Sequence, residues 1–165
     1  MSQTNEKNSG NSTKMPKSPV LITFKALEKA TQGEDFDWET LKNQLKFDEK
    51  GLIPAIAQQY DTKEVLMMAW MNAQSLEETL KTGRVCYWSR SRQNYWRKGE
   101  ASGQIQLLKE LRIDCDGDTL LLLVDQTGPA CHSGRKSCFY TATDGKKATI
   151  LTNPLIDPET LYGKK

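Results

Sequence analysis

The sequence predicts a mainly β, β-rich α+β single domain with one to three short helices, and three observations lead there. The chain has 165 residues, 37% hydrophobic and 27% charged, which is the size and balance of one globular domain with its own core. Apolar runs of strand length recur between residues 52 and 124 with turn signals between them. Helical spacing, by contrast, is confined to a few short stretches.

Taken in order, residues 1–19 are rich in Ser, Asn, Thr and Lys and lack an apolar h-region. They read as a disordered polar extension, not a secretory signal. Residues 20–46 form an N-terminal segment with no assigned role. Within it, residues 20–31 fit a strand or a short helix, and Trp38, Leu41 and Leu45 recur at the spacing of one amphipathic helix. The domain proper spans residues 47–142. Runs 52–60 and 65–71 are expected as strands about a turn at Asp61. Residues 72–81 fit a helix, with Ser75 and Glu78 matching a capping box and Gly83 just past its end. Residues 84–89, 104–113 and 119–124 have strand character, the last two joined by an Asp116-Gly117 hairpin turn. Gly128-Pro129 breaks the chain before a cysteine-bearing loop, and residues 143–165 are expected as a C-terminal strand and tail.

Composition excludes several classes. A formal net charge of +2 provides no bulk attraction for nucleic acid or a membrane surface, and no run approaches the roughly 20 apolar residues of a bilayer span. Without an export signal, the expected setting is the reducing cytoplasm, where the four cysteines serve metal or chemistry more often than disulfides.

Two segments carry the chemistry: Asp114-Cys115-Asp116-Gly117-Asp118, and Cys131-His132-Ser133-Gly134-Arg135-Lys136-Ser137-Cys138. Thiolates suit zinc, and there are no paired CxxC knuckles of the structural kind. Cys115, Cys131 and Cys138 with one vacant position match a catalytic zinc site instead. Cys86, among Val85, Tyr87 and Trp88, belongs to the core. His132 is the single histidine, suited to proton transfer near neutral pH or to a fourth place on the zinc. Asp114, Asp116 and Asp118 repel one another unless a hard cation such as Mg²⁺ neutralises them. On an extended strand they would share one face, although the turn at Asp116-Gly117 interrupts that alternation. An EF-hand is excluded because Thr119 stands where glycine is required. A third cluster, Ser89-Arg90-Ser91-Arg92 followed by Trp96, Lys98, Ser102 and Gly103, offers cations and hydroxyls for phosphate and a ring for stacking on a base.

Taken together, these segments resemble the phosphoribosyl-AMP cyclohydrolase family of histidine biosynthesis. The likeness runs through Ser89-Arg90-Ser91-Arg92 and Trp96-Arg97-Lys98-Gly99-Glu100-Ala101-Ser102-Gly103, then the aspartate segment, Gly128-Pro129-Ala130-Cys131-His132-Ser133-Gly134 and Ser137-Cys138-Phe139. The resemblance implies an intertwined homodimer and a small-molecule substrate, phosphoribosyl-AMP, whose adenine ring is opened between N1 and C6. It implies one Zn²⁺ per chain on Cys115, Cys131 and Cys138, with Cys115 donated across the dimer, and one Mg²⁺ per chain on Asp114, Asp116 and Asp118. His132 is then expected to move a proton. Ser89, Arg90, Arg92, Trp96, Lys98, Ser102, Gly103 and Arg135 are expected to hold the substrate. About 25 residues follow Tyr140, too few for the pyrophosphohydrolase domain fused to some relatives, so a monofunctional chain is expected. A zinc deaminase would need His-x-Glu and Pro-Cys-x-x-Cys segments, which the sequence lacks. A non-catalytic zinc module binding RNA would need a closed four-ligand site.

Overall fold

The computed structural model describes residues 22–162, so the expected disordered extension over 1–19 lies outside the described residues. Six strands form one curled sheet in the order β4-β3-β2-β1-β6-β5. They are β1 (Ile53–Gln59), β2 (Val65–Met71), β3 (Cys86–Ser89), β4 (Asn94–Arg97), β5 (Gln106–Ile113) and β6 (Leu120–Gln126). A smaller hairpin follows, β7 (Thr141–Thr143) with β8 (Ala148–Ile150). Four short helices accompany them among the described residues: α1 (Phe24–Leu27), α2 (Trp38–Lys42), α3 (Ala73–Thr82) and α4 (Pro158–Tyr162). The mainly β expectation holds, with one helix more than the upper number expected.

The centre of the sheet follows from its alternation. In β1, Ile53, Ala55, Ala57 and Gln59 are buried while Pro54, Ile56 and Gln58 are half-buried, as a period of two requires. β1 pairs antiparallel with β2 and parallel with β6, so the apolar run of β6 sits against its middle. Ile53, Leu66, Met71, Leu76, Leu120 and Leu122 are sealed from solvent, each such side chain contributing about 1.5–3 kcal/mol. Val85 N–H donates to Gln106 O at 3.0 Å and Leu108 N–H to Gly83 O at 2.8 Å. These bonds bring the far edge strand β5 round to the approach to β3 and curl the sheet.

Local chemistry differs from expectation in two places. The capping box of α3 uses Asn72 and Ser75: Ser75 N–H donates to Asn72 Oδ1 at 2.8 Å, and Asn72 N–H to Ser75 Oγ at 2.9 Å. Ser75 is therefore the third helical residue and not the cap, because Asn72 already has extended backbone and an acceptor side chain. Gly83 closes the helix with φ +74°. The second difference is β4, which the sequence reading left without structure. Its pairing of Tyr87 with Trp96 and Trp88 with Tyr95 makes a hairpin stabilised by cross-strand aromatic contacts.

The core also reaches back into the N-terminal segment. Phe24 and Leu45 are buried, and Lys46 N–H donates to Gly117 O at 2.8 Å. The Phe24 ring lies where a Cβ on Gly117 would stand. The segment thus braces the turn that carries Cys115.

Candidate active site

Cys131 and Cys138 stand at the two ends of a tight loop. Ala130 N–H donates to Lys136 O at 3.0 Å, Cys131 N–H to Arg135 O at 3.1 Å, and Gly134 N–H to Cys131 O at 3.0 Å. The loop is fastened to β2, with Cys138 N–H donating to Leu66 O and Ser137 Oγ to Val65 O, both at 2.7 Å. The two thiols therefore meet on a rigid support. Burial pushes the Cys131 thiol up, but the hydroxyl and amide of Ser133, Cys138 and the charge of Lys98 outweigh it and hold the group below its ordinary range. Ser133 Oγ lies 3.1 Å from Cys131 Sγ. Cys138 retains solvent exposure as a residue, yet its thiol is pushed up to about 12 by desolvation and by the Cys131 sulfur. The two thiols thus shift in opposite directions, as expected where two anions would be crowded together.

Cys115 lies elsewhere in the chain. It is exposed at the end of the β5–β6 hairpin and lines a hollow with Phe24, Leu27, Leu41 and Ile113. The three cysteines do not gather within one chain. Among the described residues, Asp114, Asp116 and Asp118 are the group whose ligand atoms do, all within 4.8 Å of one another. Their alternation is broken by the turn, since Gly117 N–H donates to Asp114 O at 3.1 Å and Asp114 N–H to Thr119 O at 3.0 Å. The turn itself gathers the carboxylates, with Asp114 Oδ1 accepting from the amides of Asp118 (3.0 Å) and Thr119 (3.3 Å). Desolvation pushes Asp114 up, but hydrogen bonds from Asp118 and the turn amides leave it below its ordinary value. Asp118 is held above its own by its bond to Asp114, by burial and by repulsion from Asp114 and Asp116.

A cleft of about 630 Å³ opens beside the thiol pair. Arg92, Trp96, Lys98, Ser102, His132 and Cys138 line it together, so six expected site residues converge. Ser89 and Arg90 line a neighbouring cleft of about 780 Å³ that shares Trp96 as a wall, and the Arg90 guanidinium sits 4.7 Å from the Trp70 ring centre. Gly103 forms a turn at φ +77°. Arg135 does not join either cleft. Its Nε donates to Thr152 O at 2.8 Å and its guanidinium packs 4.1 Å over Tyr140, fastening the C-terminal arm. Cys86 is fully buried in the sheet, its thiol pushed up to about 12 by desolvation and then by Glu78. The sequence reading missed Met67 and Tyr95 on the wall of the smaller cleft, and Trp70 and Trp88 on that of the larger. The paired aromatics Tyr87-Trp88 and Tyr95-Trp96 were the available signal for Trp88 and Tyr95.

The phosphoribosyl-AMP cyclohydrolase family profile matches residues 67–140, a stretch containing β3, β4, the aspartate turn and the cysteine loop. A phosphoribosyl-AMP cyclohydrolase of Hydrogenovibrio crunogenus is 76% identical over 143 residues, covering 87% of this chain and 97% of the relative. That of Halorhodospira halophila is 62% identical over 136 residues, covering 82% and 96%, and that of Magnetococcus marinus 70% identical over 121 residues, covering 73% and 93%. The chain is an enzyme of the hydrolase class built on a curled β-sheet. It belongs to the phosphoribosyl-AMP cyclohydrolase family.

Proposed function

We propose that this chain hydrolyses the adenine ring of 1-(5-phosphoribosyl)-AMP between N1 and C6, giving the formimino carboxamide ribotide in histidine biosynthesis. The relationship at 76% identity over nearly the whole relative carries this reading. The cleft fits it, since Trp96 offers a face for a purine and the exposed Arg92 a charge for a phosphate. Water oxygen bonds to C6, the C6–N1 bond breaks, and N1 departs with the electron pair and takes a proton. His132, exposed on the cleft wall beside Cys138, is placed to move that proton.

The donor sets fit two metals. Paired thiols suit zinc, and three crowded carboxylates suit magnesium. Zinc, when bound, would supply a water acidic enough to serve as hydroxide at neutral pH. Cys131 and Cys138 would hold it with Cys115 of a second copy, in a homodimer, because one chain leaves Cys115 apart from the pair. Asp114, Asp116 and Asp118 would hold magnesium. No helix among the described residues is long and apolar enough to cross a membrane, and a cytoplasmic enzyme is proposed.

The test is an absorbance assay of ring opening with purified protein, before and after zinc removal. Turnover that vanishes on zinc removal and returns on zinc addition is expected. A zinc-loaded protein that leaves phosphoribosyl-AMP intact would overturn the activity, and full turnover without zinc would overturn the metal.

A further inference from the structure

We infer that Lys98 serves the cysteine pair and not the substrate's phosphates: it is a positioning residue whose ammonium balances the charge of Cys131 and Cys138 and fixes the loop that carries them. The inference rests on the proposed metal role of those cysteines.

The Lys98 ammonium is withdrawn from water. The residue is 6% exposed, its Nζ donates to Ala130 O at 2.5 Å, and it lies 5.3 Å from the Trp96 ring centre. No carboxylate pairs with it among the described ion pairs. An ammonium taken out of water without an anion costs several kcal/mol, so the fold must offer it a counter-charge. The Ala130 carbonyl it holds directly precedes Cys131, and Cys138 lines the same cleft, so the two sulfurs are the counter-charge the site offers.

The backbone contact adds the positioning. Ala130 directly precedes Cys131, and both their amides are bonded to Lys136 and Arg135 across the loop, so a bond to Ala130 O holds the first thiol's whole turn. Thiolates gathered on a divalent cation over-neutralise it, and a fixed ammonium beside them draws electron density back from sulfur. Arg92, exposed on the same cleft, remains for phosphate.

The experiment compares wild type, Lys98→Met and Lys98→Arg. Zinc retention is read against graded chelator, the thiolate-to-cobalt charge-transfer band in cobalt-loaded protein, and kcat and KM in the zinc form. Lys98→Met is expected to release zinc roughly 10- to 100-fold more readily, to move the cobalt band to longer wavelength, and to lower kcat with little change in KM. Lys98→Arg is expected to restore retention and band. Unchanged retention and band in Lys98→Met with a raised KM would overturn the inference in favour of phosphate binding. Equal losses in Lys98→Met and Lys98→Arg would overturn it too, since charge would not be the agent. If Lys98→Met does not fold, Lys98→Gln, which keeps a donor for Ala130 O, is read by the same criteria. A wild-type protein without a thiolate band would overturn the metal reading and this inference with it. A normal wild-type band and an unaltered lysine variant would sink this inference alone.

Discussion

Asp118 shows how a single side chain reports on its site. Its carboxyl is held above the ordinary range by Asp114, burial and the charge of Asp116. A carboxyl raised in the folded state binds its proton more tightly there than in the unfolded chain. Its stabilising contribution is therefore complete below about pH 4 and lost as pH rises through the raised value. In magnesium-free buffer at neutral pH, Asp118→Asn should melt higher than wild type, since the amide can donate to Asp114 as the protonated acid does. The gap should close below about pH 4, and melting curves across that range check it. A constant gap would contradict the repulsion. The aspartates and cysteines stood out in the sequence because clustered carboxylates and thiols beside glycine invite a metal reading, and the structure does gather Asp114, Asp116 and Asp118. The directions of Lys98 and Arg135 were not legible there. Both are cations near the motif, and only packing shows that one turns inward under Trp96 and the other toward Tyr140.

At the scale of elements, the long apolar runs were legible and the short ones were not. β1, β2, β5 and β6 alternate or run apolar for seven or eight residues. β4 has four residues, two of them exposed, and exists because β3 supplies aromatic partners. The turn leaving β4 sets a sharper constraint. Gly99 has φ +83°, and a Cβ there would stand 2.4 Å from Ile105 N, against backbone that cannot yield. Gly99→Ala should lose about 2 kcal/mol or more of stability, measured by denaturant unfolding. Because Lys98 precedes it, part of the thiol pair's support should loosen as well. A variant as stable as wild type would show that the turn can relax.

At the scale of the molecule, strand order was the least legible feature. Hairpins announce themselves through turn residues, but the parallel pairing of β1 with β6 joins residues about 65 apart, as Ala55 with Leu120, and no local signal marks it. The separation of Cys115 from Cys131 and Cys138 follows from that order and leads to a test on mixed chains. Cys115→Ala and Cys131→Ala should each be inactive alone. Combined under conditions that exchange subunits, they should recover about a quarter of wild-type activity, because half the dimers are mixed and each holds one intact site of two. Verified exchange without recovery would refute the shared site. The fastening of the cysteine loop to β2 has a consequence of its own for the nascent chain. Cys138 N–H reaches Leu66 O and Ser137 Oγ reaches Val65 O, across some seventy residues of intervening sequence. Contacts of such separation are assembled after local hairpins, since the loop between them must first be closed. Until β2 and the loop meet, the loop lacks the support that brings its thiols together. If the thiols hold zinc as proposed, its capture is tied to the completion of the fold, and a half-made chain would offer it little more than scattered cysteines.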